Sequence, residues 1–277
     1  QYVTIIIIQL YFLNYLNKIS SEFPQVILKA GVLLNSAPYL FDILNQSNKN
    51  NHDNIIHNGK IEFKDVYFKY PNNKEYILNN FNLHIPEKSK VAIIGRSGSG
   101  KTTSMKLLLR MNQINKGTIK IDNQDIYNIN INYLRDNVNY VNQRTVLFND
   151  TIINNIKYGN NSEDQTIIDI LNKYKLIEIY NNIPKGINAN SGVNGNNLSL
   201  GMQKVTILTR GLLKKSKIII LDEPLAGLDA KTRDKILQFI IDICKDKTLI
   251  VITHDTEIIP YMDHIYDFNT LNDIQSS

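Results

Sequence analysis

Hydrophobic residues follow a helical spacing in the first 46 residues of the chain. The opening run QYVTIIIIQLYFL is strongly apolar, and apolar residues recur from Val26 to Leu44 at roughly the interval of one helix face. The run is shorter than the ~20 apolar residues that span a bilayer, so a buried core helix is an alternative. A signal peptide fits less well, because a basic start and a small-residue cleavage site are missing. We therefore interpret residues 1–46 as the end of a transmembrane helix and its cytosolic extension.

The pattern then changes twice. Residues 47–58 are polar and have no periodicity, which predicts a linker. After it, IEFKDVYF alternates apolar and polar residues, YILNNFNLHI is a second extended run, and KVAIIG is a compact apolar strand. Residues 59–277 are therefore predicted to form a separate domain that begins with β structure.

The strand KVAIIG leads directly into the glycine-rich sequence GRSGSGKTT. It satisfies the P-loop pattern G-x-x-x-x-G-K-[ST], and the helical sequence TTSMKLLLRM follows, as such a loop requires. Glycines let several backbone N–H groups point at one phosphate, and the helix N-terminus adds its positive dipole. Lys101 is predicted to reach the β- and γ-phosphates, and the Thr102 hydroxyl to ligate Mg²⁺. The predicted phosphate-binding residues are Gly95, Arg96, Ser97, Gly98, Ser99, Gly100, Lys101, Thr102 and Thr103.

Two further apolar strands end in polar residues. IIILDE reads as a central parallel strand, and ligands bind at the carboxyl ends of such strands. Asp222 would hold Mg²⁺ through water, and Glu223 would polarise the attacking water. Taken alone, IIILDE would fit a strand that ends in a solvent-exposed acidic turn equally well. The presence of a P-loop in the same chain makes this alternative much weaker. KTLIVIT leads to His254, which is well placed to contact a γ-phosphate.

With these motifs in this order, the chain from about residue 59 onward resembles the nucleotide-binding domain of an ABC transporter. In that family an aromatic residue before the P-loop stacks on adenine, and Tyr70 in VYFKYP matches it. Gln143 in YVNQRTVLFND matches a glutamine that contacts Mg²⁺ and links the site to the membrane domain. Asp229 in LAGLDA matches the loop that crosses to the partner domain, and His254 matches the switch histidine. The resemblance implies ATP and Mg²⁺ as ligands, with catalytic residues Glu223, His254 and Gln143 and metal ligands Thr102, Gln143 and Asp222.

The stretch NLSLGMQ lies where the family carries its LSGGQ signature, whose serine and glycines bind the ATP of the partner chain. The corresponding residues here are Leu198, Ser199, Leu200, Gly201 and Met202. Leu200 replaces a glycine, which we expect to restrict the backbone and to place bulk near the phosphate. Met202 replaces a polar residue. A weakened signature beside sound Glu223 and His254 favours a heterodimer with a different ABC subunit over a homodimer with two slow sites.

The resemblance also implies an architecture and a location. We expect an α/β fold: a P-loop NTPase core, an antiparallel β subdomain (about 59–90) and a helical signature subdomain (about 144–210), preceded by a helical membrane-derived segment. LFNDTIINNI resembles ABC exporters, including multidrug and mitochondrial half-transporters. Two such domains would close head to tail on ATP and reopen after hydrolysis, which drives transport. The chain would then belong to an integral membrane protein, with this domain on the cytosolic or organelle-matrix side.

Composition restricts the other function classes. The 31 Lys+Arg against 26 Asp+Glu leave a mild net charge of +5, and the lysines are scattered, so we expect no nucleic-acid partner. The single Cys244 rules out an internal disulfide framework. A soluble ABC ATPase of the DNA-repair or chromosome-organising kind would need long coiled-coil heptads, which the sequence lacks. A nucleotide-binding regulatory protein without turnover stays open, because the signature is altered.

Overall fold

A computed structural model describes residues 55–71, 73–142, 144–160 and 162–271 of the protein. The predicted membrane-derived segment (1–46), most of the linker and Gln143 lie outside these residues. In the part of the chain that is described, no helix has the length and apolar character needed to cross a membrane.

The described elements alternate between strands and helices. The strands are β1 (Ile61–Phe68), β2 (Leu78–Ile85), β3 (Lys90–Ile94), β4 (Lys116–Ile121), β5 (Gln124–Asp125), β6 (Val138–Val141), β7 (Ile218–Asp222), β8 (Thr248–Ile252) and β9 (His264–Asp267). The α-helices are α1 (Lys101–Leu108), α2 (Ile131–Asn137), α3 (Ile152–Lys157), α4 (Asp164–Lys173), α5 (Leu200–Leu213), α6 (Ala230–Ile243) and α7 (Phe268–Leu271). Short 3₁₀ turns occupy Ile126–Asn128, Ile177–Tyr180, Gly186–Asn188, Val193–Gly195 and Ile259–Tyr261.

The antiparallel sheet has the strand order β2-β1-β4-β5. β1 is its centre, since Ile61 pairs with Ile85 on one side and with Ile121 on the other. The expected bounds of about 59–90 were too narrow, because β4 and β5 join this sheet from beyond α1. The pairing of β4 with β1 is a long-range contact, which the local alternation of KGTIKI cannot reveal.

The parallel sheet has the strand order β6-β7-β8-β3-β9. β7 is an interior strand, as predicted: Ile220 pairs with Tyr140 on one side and with Ile250 on the other. β8 is buried throughout, as is all of β7 except its last residue, which explains why both strands are continuous apolar runs. The carboxyl ends of β3, β7 and β8 meet at one edge of the sheet. This arrangement confirms the predicted α/β fold and places the P-loop, Asp222 and His254 near one another.

The helical part shares an apolar core with β7 and β8 of the parallel sheet. To this core α3, α4 and α5 contribute Ile152, Ile156, Ile167, Leu171 and Val205. α5 also packs closely on β6. A Cβ atom added to Gly211 would lie 2.2 Å from Cγ2 of Val141, so only glycine permits this approach. The contact fixes α5, and with it the signature residues at its N-terminus, against the parallel sheet.

Candidate functional site

The P-loop connects β3 to α1 and depends on glycine at defined positions. Gly95 and Gly100 have φ angles of 140° and 94°, in the region that side chains disfavour. A Cβ atom on Gly95 would also lie 3.3 Å from Cβ of Phe268. Gly100 is the N-cap residue of α1, so the chain turns from the loop into the helix at this glycine.

Lys101 is folded back on its own loop. Its side chain is buried, and Nζ donates hydrogen bonds to the carbonyl oxygens of Gly95 and Arg96, at 2.5 and 2.7 Å. Burial lowers the pKa of Lys101, while the negative charges of Glu223 and Asp222 oppose that shift. Its direct partners are neutral carbonyls, and an anion at this point would be a stronger partner for the ammonium group.

The Asp222 carboxylate is engaged by a residue that the sequence analysis missed. The Tyr140 hydroxyl donates to Oδ2 of Asp222 at 2.7 Å. Burial, helped by Asp222, raises the pKa of Tyr140, so the phenol stays protonated and can donate. The signal for Tyr140 lies in the register of β6 against β7, which no local pattern contains.

The same geometry tests whether Mg²⁺ fits. Thr102 and Asp222 both line the cavity at the P-loop, where a hydroxyl and a carboxylate oxygen are available to a small cation. Mg²⁺ prefers oxygen ligands and is often held by one or two carboxylates together with substrate phosphates. The described residues contain no cluster of three or more His, Cys, Asp or Glu side chains that could hold a metal. The donors therefore fit Mg²⁺ bound together with a nucleotide.

Glu223 and His254 lie side by side at the ends of β7 and β8. Oε1 of Glu223 is 3.9 Å from Nε2 of His254; the histidine side chain is 62% exposed and the glutamate 17%. Glu223 has a φ of 50°, which is unusual for a residue with a side chain. Its backbone N–H donates to the carbonyl of Ile252 at 2.9 Å. Such strained backbone costs ~1–3 kcal/mol and persists where the surrounding structure imposes it.

One open cavity of about 290 Å³ unites these groups. It is lined by Ile77, Ser97, Gly98, Gly100, Lys101, Thr102, Thr103, Asp222, Glu223, Ile252 and His254. Tyr70 does not line this cavity. Its ring packs edge-on against Phe68, with centroids 5.0 Å apart. The structure thus brings the P-loop together with both carboxylates and the histidine, and leaves Tyr70 outside the cavity.

The signature residues begin helix α5, away from this cavity. The Ser199 hydroxyl accepts from the N–H of Met202 at 3.3 Å and so caps the helix. Leu200 is its first helical residue and has no positive φ, so the expected backbone restriction was wrong: a helical residue needs no glycine. The other expectation for Leu200, a bulky side chain near the partner's phosphate, stays a prediction. The Leu200 side chain is 79% exposed. Leu198 is buried, and Met202 packs against the helical core.

Gly201 and Asp229 are two other predicted site residues. A Cβ atom on Gly201 would have no neighbour closer than 4.0 Å, so the backbone at this position is accessible. Asp229 is the N-cap of α6 and accepts from the N–H of Thr232 at 3.0 Å. Hydrogen bonding by Thr232, first through its side chain and second through its backbone N–H, lowers the pKa of Asp229. Neither residue contributes to the cavity at the P-loop.

The sequence model of the family described as "ABC transporter" matches residues 78–226, which include the P-loop, the signature stretch and Glu223. This chain belongs to the ABC transporter family. It is 34% identical over 248 residues to a protein of Buchnera aphidicola called multidrug resistance-like ATP-binding protein MdlB, covering 88% of this chain and 43% of the relative. It is 36% identical over 209 residues to an ATP-dependent lipid A-core flippase of Haemophilus influenzae, covering 75% and 36%.

A solved structure of a bacterial Atm1-family ABC exporter with ATP bound superposes on this domain with a TM-score of 0.72. The two chains are 31% identical, and the match covers 77% of this chain and 37% of the other. The chain spans less than half the length of these relatives. The resemblance to exporter-type nucleotide-binding domains is thereby confirmed.

Proposed function

We propose that this chain binds and hydrolyses ATP as the nucleotide-binding part of an ABC exporter. The observation that carries the proposal is the single cavity that unites Lys101, Asp222, Glu223 and His254. These are a cation for the phosphates, an acidic metal ligand, a base and a γ-phosphate contact. Membership of the ABC transporter family supports ATP as the nucleotide.

The groups divide the chemistry among themselves. The P-loop amides and Lys101 hold the phosphates, so that the γ-phosphorus faces Glu223 and His254. Glu223 orients the attacking water and accepts its proton, and His254 stabilises the charge that develops on the γ-phosphate. Mg²⁺, when held by Thr102 and Asp222, supplies neutralisation of the phosphate charge. Gln143 lies outside the described residues, so its part in metal binding and catalysis stays a prediction.

A second ABC subunit completes each site in this proposal. Ser199, Leu200 and Gly201 do not line the cavity of their own chain, and Leu200 is largely exposed. That placement suits contact with ATP held by a partner, in a head-to-tail dimer. The exposed leucine puts a bulky side chain where a γ-phosphate would approach, so we favour a partner that carries an unaltered signature. Asp229 would contact that partner, and Tyr70 would stack on adenine once the nucleotide is bound.

The proposal places the domain on the cytosolic or organelle-matrix side of a membrane. The exporter names of its relatives support this location, as does the interpretation of residues 1–46 as membrane-derived. ATP-driven dimer closure would then be coupled to transport. A weakly hydrolysing or regulatory subunit is the second candidate, and the exposed Leu200 is the observation in its favour.

Removal of Mg²⁺ tests the proposed chemistry. We expect the purified chain to release phosphate from ATP, and excess EDTA to stop this release and weaken ATP binding. The reason is that Thr102 and Asp222 hold the nucleotide partly through the ion. Phosphate release and ATP binding by calorimetry, each with Mg²⁺ and with EDTA, are the measurements. Phosphate release that persists in EDTA would contradict this assignment.

Repair of the signature tests the choice of partner. Leu200→Gly with Met202→Gln should raise the ATPase rate of the chain alone by about an order of magnitude, because a fitting signature stabilises the phosphate charge. The single variant Leu200→Gly is a further control. It distinguishes the effect of the exposed Leu200 from that of Met202, whose replacement also changes packing in the core. The rates are compared at saturating ATP over a range of protein concentrations. Robust turnover by the unmodified chain, unchanged by the repair, would favour a homodimer.

A further inference from the structure

Behind the Glu223 carboxylate, one lysine holds the backbone of the turn that follows β7. Lys204 lies on α5, and its Nζ donates to the carbonyl oxygens of Glu223 and Ala226, at 2.6 Å each. A single ammonium group therefore ties together the two ends of the turn 223–226. Both contacts are charge-assisted hydrogen bonds, which are stronger than neutral ones.

The turn needs such support, because the backbone of Glu223 is strained. Its φ of 50° is disfavoured for a residue with a side chain. On one side, its N–H is held by the carbonyl of Ile252. On the other side, its carbonyl is held by Lys204. The side chain projects from this backbone, so the hydrogen bond from Lys204 helps to hold the conformation from which the carboxylate extends.

On the α5 side, the turn is held by packing as well as by these two hydrogen bonds, since Leu225 is buried in the apolar core that also contains Val205 and Leu208 of α5. An open cavity of about 220 Å³ is lined by residues of both α5 and the turn, including Leu200, Lys204, Pro224 and Ala226. Burial lowers the pKa of Lys204, while the negative charge of Glu223 opposes that shift. Lys204 supplies the polar link between α5 and the carbonyl oxygens of the turn.

Lys204 also connects the turn to the signature. Leu200 and Lys204 are four residues apart on one helix and so share a face. The distance along the helix axis is about 6 Å, one rigid turn. A displacement of the signature end of α5 is thus carried by the helix to the carbonyl oxygens of Glu223 and Ala226.

We propose that Lys204 is a positioning residue that holds Glu223 in its strained conformation and couples it to the signature helix. The signature contacts ATP in the partner's site, whereas Glu223 acts in the site of its own chain. Lys204 would thereby make the base of one site respond to the occupancy of the other. This inference rests on the proposed function of Glu223 as the base.

Three variants test the inference. Lys204→Met keeps the length and the apolar stem but loses the donors, and Lys204→Arg restores a cation. Lys235→Met is the matched control: Lys235 is a helical lysine whose Nζ donates to the carbonyl of Lys175 at 2.9 Å and to Glu178 at 2.7 Å, away from the cavity. For each protein, kcat and KM for ATP, the melting temperature and hydrogen exchange of the segment 223–228 are measured.

Lys204→Met should lower kcat by roughly tenfold or more, because misplacing a catalytic group is costly. KM for ATP should stay within about twofold, since the phosphate-binding groups are untouched. Exchange in segment 223–228 should accelerate, and Lys204→Arg should recover much of kcat. Lys235→Met should leave both kcat and this exchange at the parent values.

Unchanged exchange and unchanged kcat in Lys204→Met would overturn the inference. So would a loss of kcat matched by a similar loss in Lys235→Met with an equal fall in melting temperature, since that result indicates general destabilisation. Hydrogen exchange also separates this inference from the proposed function. A parent chain that neither binds nor hydrolyses ATP would count against the function, while faster exchange in Lys204→Met would still establish the lysine as a support of the turn.

Discussion

Replacement of Glu223 by glutamine should leave ATP binding intact and lower the rate of hydrolysis by ~10²-fold or more. The amide keeps the shape of the carboxylate but cannot accept a proton from water. The side chain is only 17% exposed, and Oε1 lies 3.9 Å from Nε2 of His254, which we propose as the γ-phosphate contact. Phosphate release at saturating ATP, measured beside calorimetric binding of Mg·ATP, distinguishes the two effects.

The control for this prediction is Glu178→Gln. Glu178 pairs with Lys235 in the helical part of the domain, and its loss should leave hydrolysis unchanged. We also expect ATP to hold the Glu223→Gln chain in a closed dimer with its partner, because reopening requires hydrolysis in the proposed cycle. A Glu223→Gln protein that hydrolyses ATP at the parent rate would remove Glu223 from the mechanism.

Replacement of Lys101 by alanine should abolish tight binding of Mg·ATP. Hydrogen bonds to charged groups contribute ~1.5–3 kcal/mol each. Loss of the two predicted bonds from Lys101 to the β- and γ-phosphates should therefore raise the Kd for Mg·ATP by ~10²-fold or more. Lys101 already lies inside the loop, where its Nζ is held by the carbonyl oxygens of Gly95 and Arg96. A phosphate would be a stronger partner than either carbonyl, because it carries charge.

Lys106→Ala is the matched control, since Lys106 lies on the same helix but does not line the cavity. Calorimetry with Mg·ATP gives the Kd of each protein, and the melting temperature without nucleotide shows whether the loop has lost stability. Parent-like affinity in Lys101→Ala would mean that the P-loop assignment is wrong. Weak binding together with a parent-like melting temperature would assign the effect to the lost cation.

Local patterns in the sequence carried much of the site. The P-loop is a contiguous run whose glycines are required by the backbone, so its function is visible without the fold. The apolar runs that form β7 and β8 imply burial on both faces, which placed Asp222, Glu223 and His254 at strand ends. The family resemblance was based on the order of the motifs along the chain, and it is confirmed. The roles of the individual site residues, among them Tyr70, Gln143 and Asp229, stay predictions.

Tertiary structure decided what depends on contacts between distant segments. The antiparallel sheet takes β4 and β5 from beyond the P-loop helix: β4 pairs with β1 and buries Ile119 and Ile121, and β5 pairs with β4. The consequence of Leu200 also changed: the leucine starts a regular helix, so its effect is exposed bulk and not backbone strain. The sequence alone shows that a leucine replaces the glycine of the signature. Only the fold shows which backbone conformation that position requires.

The sequence by itself determined the fold class, the P-loop and the acidic strand end, because each is encoded in consecutive residues. Only the tertiary structure identified Tyr140 beside Asp222 and Lys204 behind Glu223. These pairs are 82 and 19 residues apart in the chain. Their contacts depend on the register of β6 against β7 and on the packing of α5 beside the turn. Hydrophobic periodicity specifies which face of an element is buried, but it does not specify which side chain of another element will meet it there.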